Sequence, residues 1–157
     1  MSAVLIYDFP LESLNLELPF YACPVPAGFP APADDHQEAA LDLSRHLFTN
    51  PAATFLARVT GDSMIGAGIY AGDLIAVDRA ISPTDGHIVV AMVDGEHTLK
   101  RLRLRDGRIW LEAENDDYPA LELLAGARLD VWGVVTHVIH ALVTKKSALV
   151  RPLPPRL

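Results

Sequence analysis

The sequence predicts a mainly β, compact antiparallel domain that follows an extended N-terminal arm and contains one short helix. Half of the 157 residues are hydrophobic, which is enough for one domain with a real core. Short apolar runs rich in β-branched residues recur over residues 55–143, and two Asp-Gly pairs separate runs of this kind, as hairpin turns do. Six of the 12 prolines fall in the first 32 residues, which argues against a packed element there.

The arm is predicted over residues 1–33. Proline lacks an N–H and biases the preceding residue to extended conformations, so these residues are expected to form an extended arm rather than a packed element. An extended chain is also the shape that a protease cleft accepts, because its backbone can pair with the cleft edge. The chain before its first basic residue, Arg45, holds seven acids, which account for the whole net charge of −7. Such an acidic segment indicates either contact with a protein partner or a solvated tail.

A helix is predicted to begin at Asp35, where Glu38 completes a capping-box-like Asp-x-x-Glu pattern. Its apolar stripe would consist of Ala39, Leu43 and Leu47. Asn50-Pro51 would end it, because proline does not continue a helix.

The rest of the body, residues 34–143, is predicted to be mostly strand. Asp94-Gly95 and Asp106-Gly107 are strong signals for two-residue hairpins. The last strand is expected to bend at Gly133. Residues 144–157 are predicted to be a basic, disordered tail. The expected strands cover residues 55–59, 74–77, 87–93, 97–104, 108–111 and 129–143.

Composition argues against several classes of protein. The single cysteine, Cys23, leaves no internal disulfide or cysteine metal cluster and fits a reducing, cytoplasmic compartment. No apolar run approaches the roughly 18 residues of a membrane span, and no basic segment opens a secretory signal. Six scattered histidines show no metal-site spacing, so neither a metal nor another cofactor is expected. The lack of a basic stripe argues against direct, sequence-specific nucleic-acid binding.

Ser63 and Lys100 are the candidate catalytic residues. Ser63 lies in a short glycine-led turn, Gly61-Asp62-Ser63-Met64, and Lys100 follows 37 residues later on a predicted strand. A serine hydroxyl needs a base, and lysine can serve only when neutral. At pH 7 this requires the lysine pKa to fall by roughly three units, which full burial can achieve. Period-2 alternation places Lys100 on the same strand face as Leu102 and Leu104, which would desolvate the amine.

Other interpretations of these residues remain open at this stage. Lys100 could be a surface lysine at a sheet edge, and Ser63 could cap a turn. A histidine could replace lysine as the base, since His87 and His97 lie close to the same strands, although no matched acid stands out.

Motifs along the chain extend the pattern in a fixed order from about Gly28 to Leu142. They are Ala27-Gly28-Phe29-Pro30, Gly61-Asp62-Ser63-Met64, Gly72-Asp73-Leu74, Asp94-Gly95-Glu96, Thr98-Leu99-Lys100 and Asp130-Val131-Trp132-Gly133-Val134-Val135. In these motifs the chain resembles the LexA/UmuD family of self-cleaving serine-lysine peptidases, and within it the UmuD type.

The resemblance implies a serine endopeptidase that cuts its own chain between Ala27 and Gly28. Ser63 would be the nucleophile and Lys100 the general base, and the backbone amides of Asp62 and Ser63 would stabilise the oxyanion. UmuD-type members carry cysteine before the scissile glycine, whereas Ala27 follows the LexA type.

The resemblance also implies partners. Cleavage would be stimulated by RecA on single-stranded DNA during the SOS response to DNA damage. The shortened chain would form a homodimer that joins a Y-family, UmuC-like polymerase subunit in translesion synthesis.

Three alternatives accompany this hypothesis. The chain could be a LexA-like or phage-type self-cleaving regulator without a DNA-binding domain, because residues 1–27 are too short, acidic and proline-rich for a helix-turn-helix. It could be a non-enzymatic dimeric binding module if Lys100 is exposed. A signal peptidase also uses serine and lysine, but the membrane anchor that it needs is not evident.

Overall fold

The computed structural model describes residues 4–7, 17–21, 25, 27–28 and 37–143. Their regular structure consists of ten strands, one short α-helix and two 3-10 helices, Pro51–Ala53 and Ile65–Ala67. The tail predicted over residues 144–157 lies outside the described residues, as does much of the arm. The helix is α1 (Leu43–Leu47), and the strands are β1 (Val4–Tyr7), β2 (Glu17–Tyr21), β3 (Gln37–Asp42), β4 (Thr54–Val59), β5 (Leu74–Asp78), β6 (Ile88–Val93), β7 (Glu96–Arg105), β8 (Arg108–Glu112), β9 (Leu121–Leu123) and β10 (Leu129–Ile139).

Eight of these strands form one sheet in the order β1-β4-β5-β10-β6-β7-β8-β9, and β2 pairs with β3 in a separate ribbon. Every neighbouring pair in both is antiparallel. The predicted fold class, mainly β and antiparallel, is therefore confirmed. Long β10 lies between β5 and β6. It therefore joins the half of the sheet next to Ser63, which follows β4, to the half that carries Lys100.

Both Asp-Gly pairs form the expected tight turns. Asp94 and Gly95 have φ values of 49° and 89°, and Asp106 and Gly107 have values of 51° and 72°. Two successive positive φ values define the type I′ turn, whose twist matches that of the flanking strands. These turns set the register of β7 against β6 on one side and against β8 on the other.

Apolar side chains cover both faces of the central strands. Val90 and Leu99, which are directly opposed on β6 and β7, belong to one buried cluster, whereas Val89 on β6 and Leu102 on β7 belong to a second. Alternate residues of β7 therefore enter different clusters, as the period of a strand requires. Lys100 is opposite Val89 on the face of the second cluster.

β10 departs from regular pairing with β6 between Val131 and Gly133, where the register shifts. A Cβ at Gly133 would lie 2.8 Å from both Asp78 O and Val77 Cγ1. Glycine is needed there because the neighbouring strand β5 approaches too closely for a side chain. The predicted bend at Gly133 thus corresponds to a bulge in β10.

The start of the chain differs from the prediction in two respects. Two described parts of the arm are paired strands rather than an unpacked segment: β1 pairs with β4 from Val4↔Val59 to Tyr7↔Leu56, and β2 pairs with β3. The helix predicted from Asp35 is wrong over residues 37–42, which form β3, and Asp35 itself lies outside the described residues. Asp42 caps α1 instead, and its Oδ1 accepts hydrogen bonds from the backbone N–H groups of Ser44 and Arg45.

Candidate active site

The turn that carries Ser63 connects β4 to β5. Gly61 begins it with a φ of 81°, a left-handed conformation that glycine adopts without strain. Met64, 2% exposed, anchors the turn in the first buried cluster, and a short 3-10 turn over Ile65–Ala67 follows. Ser63 is itself 2% exposed and is therefore held between the anchor and the sheet.

Lys100 extends from the middle of β7 to this serine. Its Nζ lies 2.9 Å from Ser63 Oγ and 3.1 Å from the carbonyl oxygen of Leu99, to which it donates. Two residues that are 37 positions apart in sequence are thus in direct hydrogen-bond contact. This is the distance at which a neutral amine could accept the hydroxyl proton.

Burial lowers the pKa of Lys100, since the charged ammonium loses hydration in a partly apolar setting. The face that it shares with Val89 and Leu102 provides this setting. The direction is the one required for general-base chemistry, because a larger fraction of the amine is neutral at a given pH.

The loop after β8 supports the turn that carries Ser63. The backbone N–H of Glu114 donates to Ser63 O at 2.9 Å, and Gly66 N–H donates back to Glu114 O at 2.7 Å. Asn115 Nδ2 donates to Asp62 O at 3.0 Å, and the Tyr118 hydroxyl donates to Asp62 Oδ1. Sequence analysis missed these residues; the only signal was an asparagine and a tyrosine in an otherwise acidic loop.

A groove of about 460 Å³ runs beside Lys100 along the start of β7. Its walls include His97, Thr98, Leu111, Tyr118 and Leu121. Asp94 and Glu96 complete the lining together with Val93, so the groove combines apolar side chains with two carboxylates near the Lys100 amine. The groove is lined by Lys100 but, among the described residues, not by Ser63. A molecule bound in it would therefore contact Lys100 rather than Ser63.

The other predicted site residues occupy different positions. Ala27 and Gly28 are exposed, and a Cβ built at Gly28 meets no atom within 4 Å. His87 Nδ1 accepts from Thr84 N–H at 3.2 Å, and His97 packs edge-on against Trp132 at a centroid distance of 4.5 Å. Among the described residues no three or more side chains are grouped to hold a metal ion, and no helix has the length and apolar character that a bilayer span requires.

The model of the "Peptidase S24-like" family matches residues 19–136, which include the serine turn, Lys100 and the supporting loop. The chain belongs to the S24 peptidase-like family. Members of such a family are serine peptidases that cleave themselves, so a peptidase rather than a passive binding domain is indicated.

Relatives agree with this assignment. Protein ImpA of Escherichia coli is 48% identical over 122 residues, which cover 78% of this chain and 83% of ImpA. Protein SamA of Salmonella typhimurium is 45% identical over 129 residues, 82% of this chain and 89% of SamA. A LexA repressor of Aliivibrio salmonicida is 37% identical over 139 residues, 88% of this chain and 66% of the repressor. The predicted resemblance to the LexA/UmuD group is thereby confirmed, and the chain is UmuD-like.

Proposed function

We propose that this S24 peptidase-like chain cleaves its own Ala27–Gly28 bond, with Ser63 as nucleophile and Lys100 as general base. The observation that supports this most directly is the 2.9 Å contact between Lys100 Nζ and Ser63 Oγ at a partly buried position. The alternative of a non-enzymatic binding module requires Lys100 to be exposed, and this partly buried contact does not fit it. The exposure of Ala27 and Gly28 means that the arm must bring its bond to the pair before the reaction.

The reaction would use each group in turn. Neutral Lys100 accepts the proton of Ser63 as Oγ attacks the carbonyl carbon of Ala27. The resulting oxyanion is stabilised by the backbone amides of Asp62 and Ser63. The C–N bond then breaks as the Lys100 ammonium returns a proton to the amine of Gly28. A water molecule, deprotonated by Lys100, hydrolyses the acyl-enzyme and frees the carboxylate of Ala27.

Self-cleavage is expected to accelerate with pH and then level off. Only neutral Lys100 is active, so the rate should rise about tenfold per pH unit below its pKa. Because burial lowers that pKa, the plateau should begin below the ordinary lysine value of about 10.4. Rates of band conversion on gels between pH 6 and 11 measure this profile, and a rate that falls as pH rises would contradict a lysine base.

The product formed with RecA, ATP and single-stranded DNA is expected to begin at Gly28. Glycine after the bond lets the chain pass close to the nucleophile without a Cβ, so Gly28→Leu should slow cleavage by about tenfold or more. Val25→Leu is the matched control, because Val25 is 93% exposed and two residues before the bond. A different N-terminus by mass spectrometry, or equal rates for both variants, would reject the site.

Cleavage in the proposed function acts as a switch. It removes residues 1–27 and with them Asp8, Glu12 and Glu17, which changes the net charge from −7 to −4. The truncated homodimer then serves as the accessory subunit of a UmuC-like, Y-family polymerase in SOS translesion synthesis. Support for these partners comes from the relatives and from the acidic, removable arm, and a RecA filament would supply the trigger.

A further inference from the structure

The loop that follows β8 contacts the nucleophile turn at consecutive residues. Asn115 Nδ2 donates to the carbonyl oxygen of Asp62 at 3.0 Å, and Glu114 N–H donates to that of Ser63 at 2.9 Å. The Tyr118 hydroxyl donates to the Asp62 carboxylate. Asp62 is thus held through its backbone and its side chain by the same loop.

The same loop is tied to the strand of the base. The Arg101 guanidinium pairs with the Glu114 carboxylate, and Arg101 also donates to Gly86 O at 2.7 Å. Arg101 is adjacent to Lys100 on β7. The loop therefore bridges the strand of the base and the turn of the nucleophile.

We propose that Tyr118 is a positioning residue for self-cleavage, whose hydroxyl holds Asp62 so that Ser63 faces Lys100. The inference rests on the proposed function and adds a residue to it. The residue before the nucleophile needs such support, because Gly61 begins the turn with little conformational restraint of its own. A displacement of about 1 Å between reacting groups can cost roughly a hundredfold in rate.

The Tyr118 hydroxyl can keep this role at the alkaline pH where Lys100 becomes neutral. The hydrogen bond to Asp62 raises the pKa of Tyr118, with smaller contributions from desolvation and from the charges of Asp62 and Asp117. The tyrosine therefore retains its proton to higher pH than an isolated phenol would.

Any test must distinguish the effect of the Tyr118 ring from the effect of its hydroxyl. Lys100 Nζ lies 5.7 Å from the ring centroid, so removing the ring would change the surroundings of the base as well. Tyr118→Phe keeps the ring and removes only the oxygen atom. It isolates the contact with Asp62.

We expect Tyr118→Phe to lower the plateau rate of alkaline self-cleavage by about tenfold while leaving the pH midpoint in place, because the charge-assisted hydrogen bond is lost but the base is not altered. Asp62→Ala should slow the plateau to a similar degree, and the double variant should be no slower than the slower single one. Asp62→Asn, whose amide oxygen can still accept, should retain most of the rate. Tyr70→Phe is the matched control, since Tyr70 is 46% exposed and follows the serine turn.

The thermal unfolding temperature of each variant is measured together with its cleavage rate, so that a loss of folding is recognised. Three results would overturn the inference: a wild-type plateau rate for Tyr118→Phe, additive effects in the double variant, or a shifted pH midpoint. In each case the wild-type chain would still cleave itself, and the proposed function would stand. An unfolded Tyr118→Phe chain would also overturn it, because the hydroxyl would then be a structural requirement. A wild-type chain that never cuts would overturn the proposed function and this inference together.

Discussion

Ser63→Ala is expected to abolish self-cleavage at every pH, with a loss of about 10³-fold or more, because no other oxygen can replace the nucleophile. Lys100→Ala should have an effect of the same size. Lys100→Arg should fail as well, since the guanidinium keeps its proton and cannot act as a base. Band conversion over days at alkaline pH measures these rates.

Two checks make this result specific. Each variant should unfold at a temperature close to that of the wild type, and Lys100→Ala removes a partly buried amine rather than a packing group. Ser82→Ala, at an exposed position, is the matched serine control and should cleave normally. Processing of either dyad variant at the wild-type rate would show that the pair has no catalytic role.

Gly66→Ala is expected to damage both stability and cleavage. An added Cβ would lie 2.6 Å from the backbone oxygen of Glu114, which also accepts the 2.7 Å hydrogen bond from Gly66 N–H. Relieving this overlap must shift backbone, at a cost of roughly 1–3 kcal/mol in the free energy of unfolding. Because Glu114 N–H also bonds to Ser63 O, cleavage should fall by about tenfold or more.

Gly107→Ala separates the two effects. Gly107 has a φ of 72° and open space around a built Cβ, so the substitution strains the backbone by about 1–2 kcal/mol without a clash. It lies in the distant β7–β8 turn and should leave the cleavage rate of the folded protein unchanged. Equal cleavage rates for Gly66→Ala and Gly107→Ala at matched stability would argue against a link between Gly66 and the nucleophile.

Local rules predicted the parts of the fold that depend on local geometry. Asp-Gly pairs demand positive φ values that few other residues adopt, so both hairpins were predictable from two residues each. Strands β4 to β8 followed from short apolar runs. An irregularity at Gly133 was predicted as a bend, because a glycine interrupts a long strand pattern, and the structure has a register shift there.

Pairing over a distance was not predictable in the same way. The pattern around Asp35 and Glu38 satisfies a helix-capping rule, yet residues 37–42 pair with β2 instead. Tertiary pairing there overrides a local preference. The three-residue strand β9 was missed because Leu121–Leu123 is too short to show a period and is held by its partner β8.

The residues of the candidate site also differ in how far they could be predicted from local sequence. Ser63 and Lys100 could be predicted from residue chemistry only as a pair. A lone lysine on a core strand is unusual, whereas a serine in a glycine-led turn most often caps the turn. Glu114, Asn115 and Tyr118 act through backbone and side-chain contacts with a turn about 50 residues earlier. Neither periodicity nor spacing carries that information.

The pairing of β1 with β4 gives the proposed cut a mechanical outcome. Once the bond at Ala27–Gly28 is broken, residues 1–27 lose their covalent link to the body. They are then held by the pairing of β1 with β4 and of β2 with β3, each through four residue pairs. Strand pairs this short add little stability by themselves, and dilution favours release of the severed peptide. Strand β4 would then present an open row of backbone donors and acceptors at the rim of the sheet. Release of the peptide would thus move the open edge of the sheet from β1 to β4, where a strand from another protein could pair.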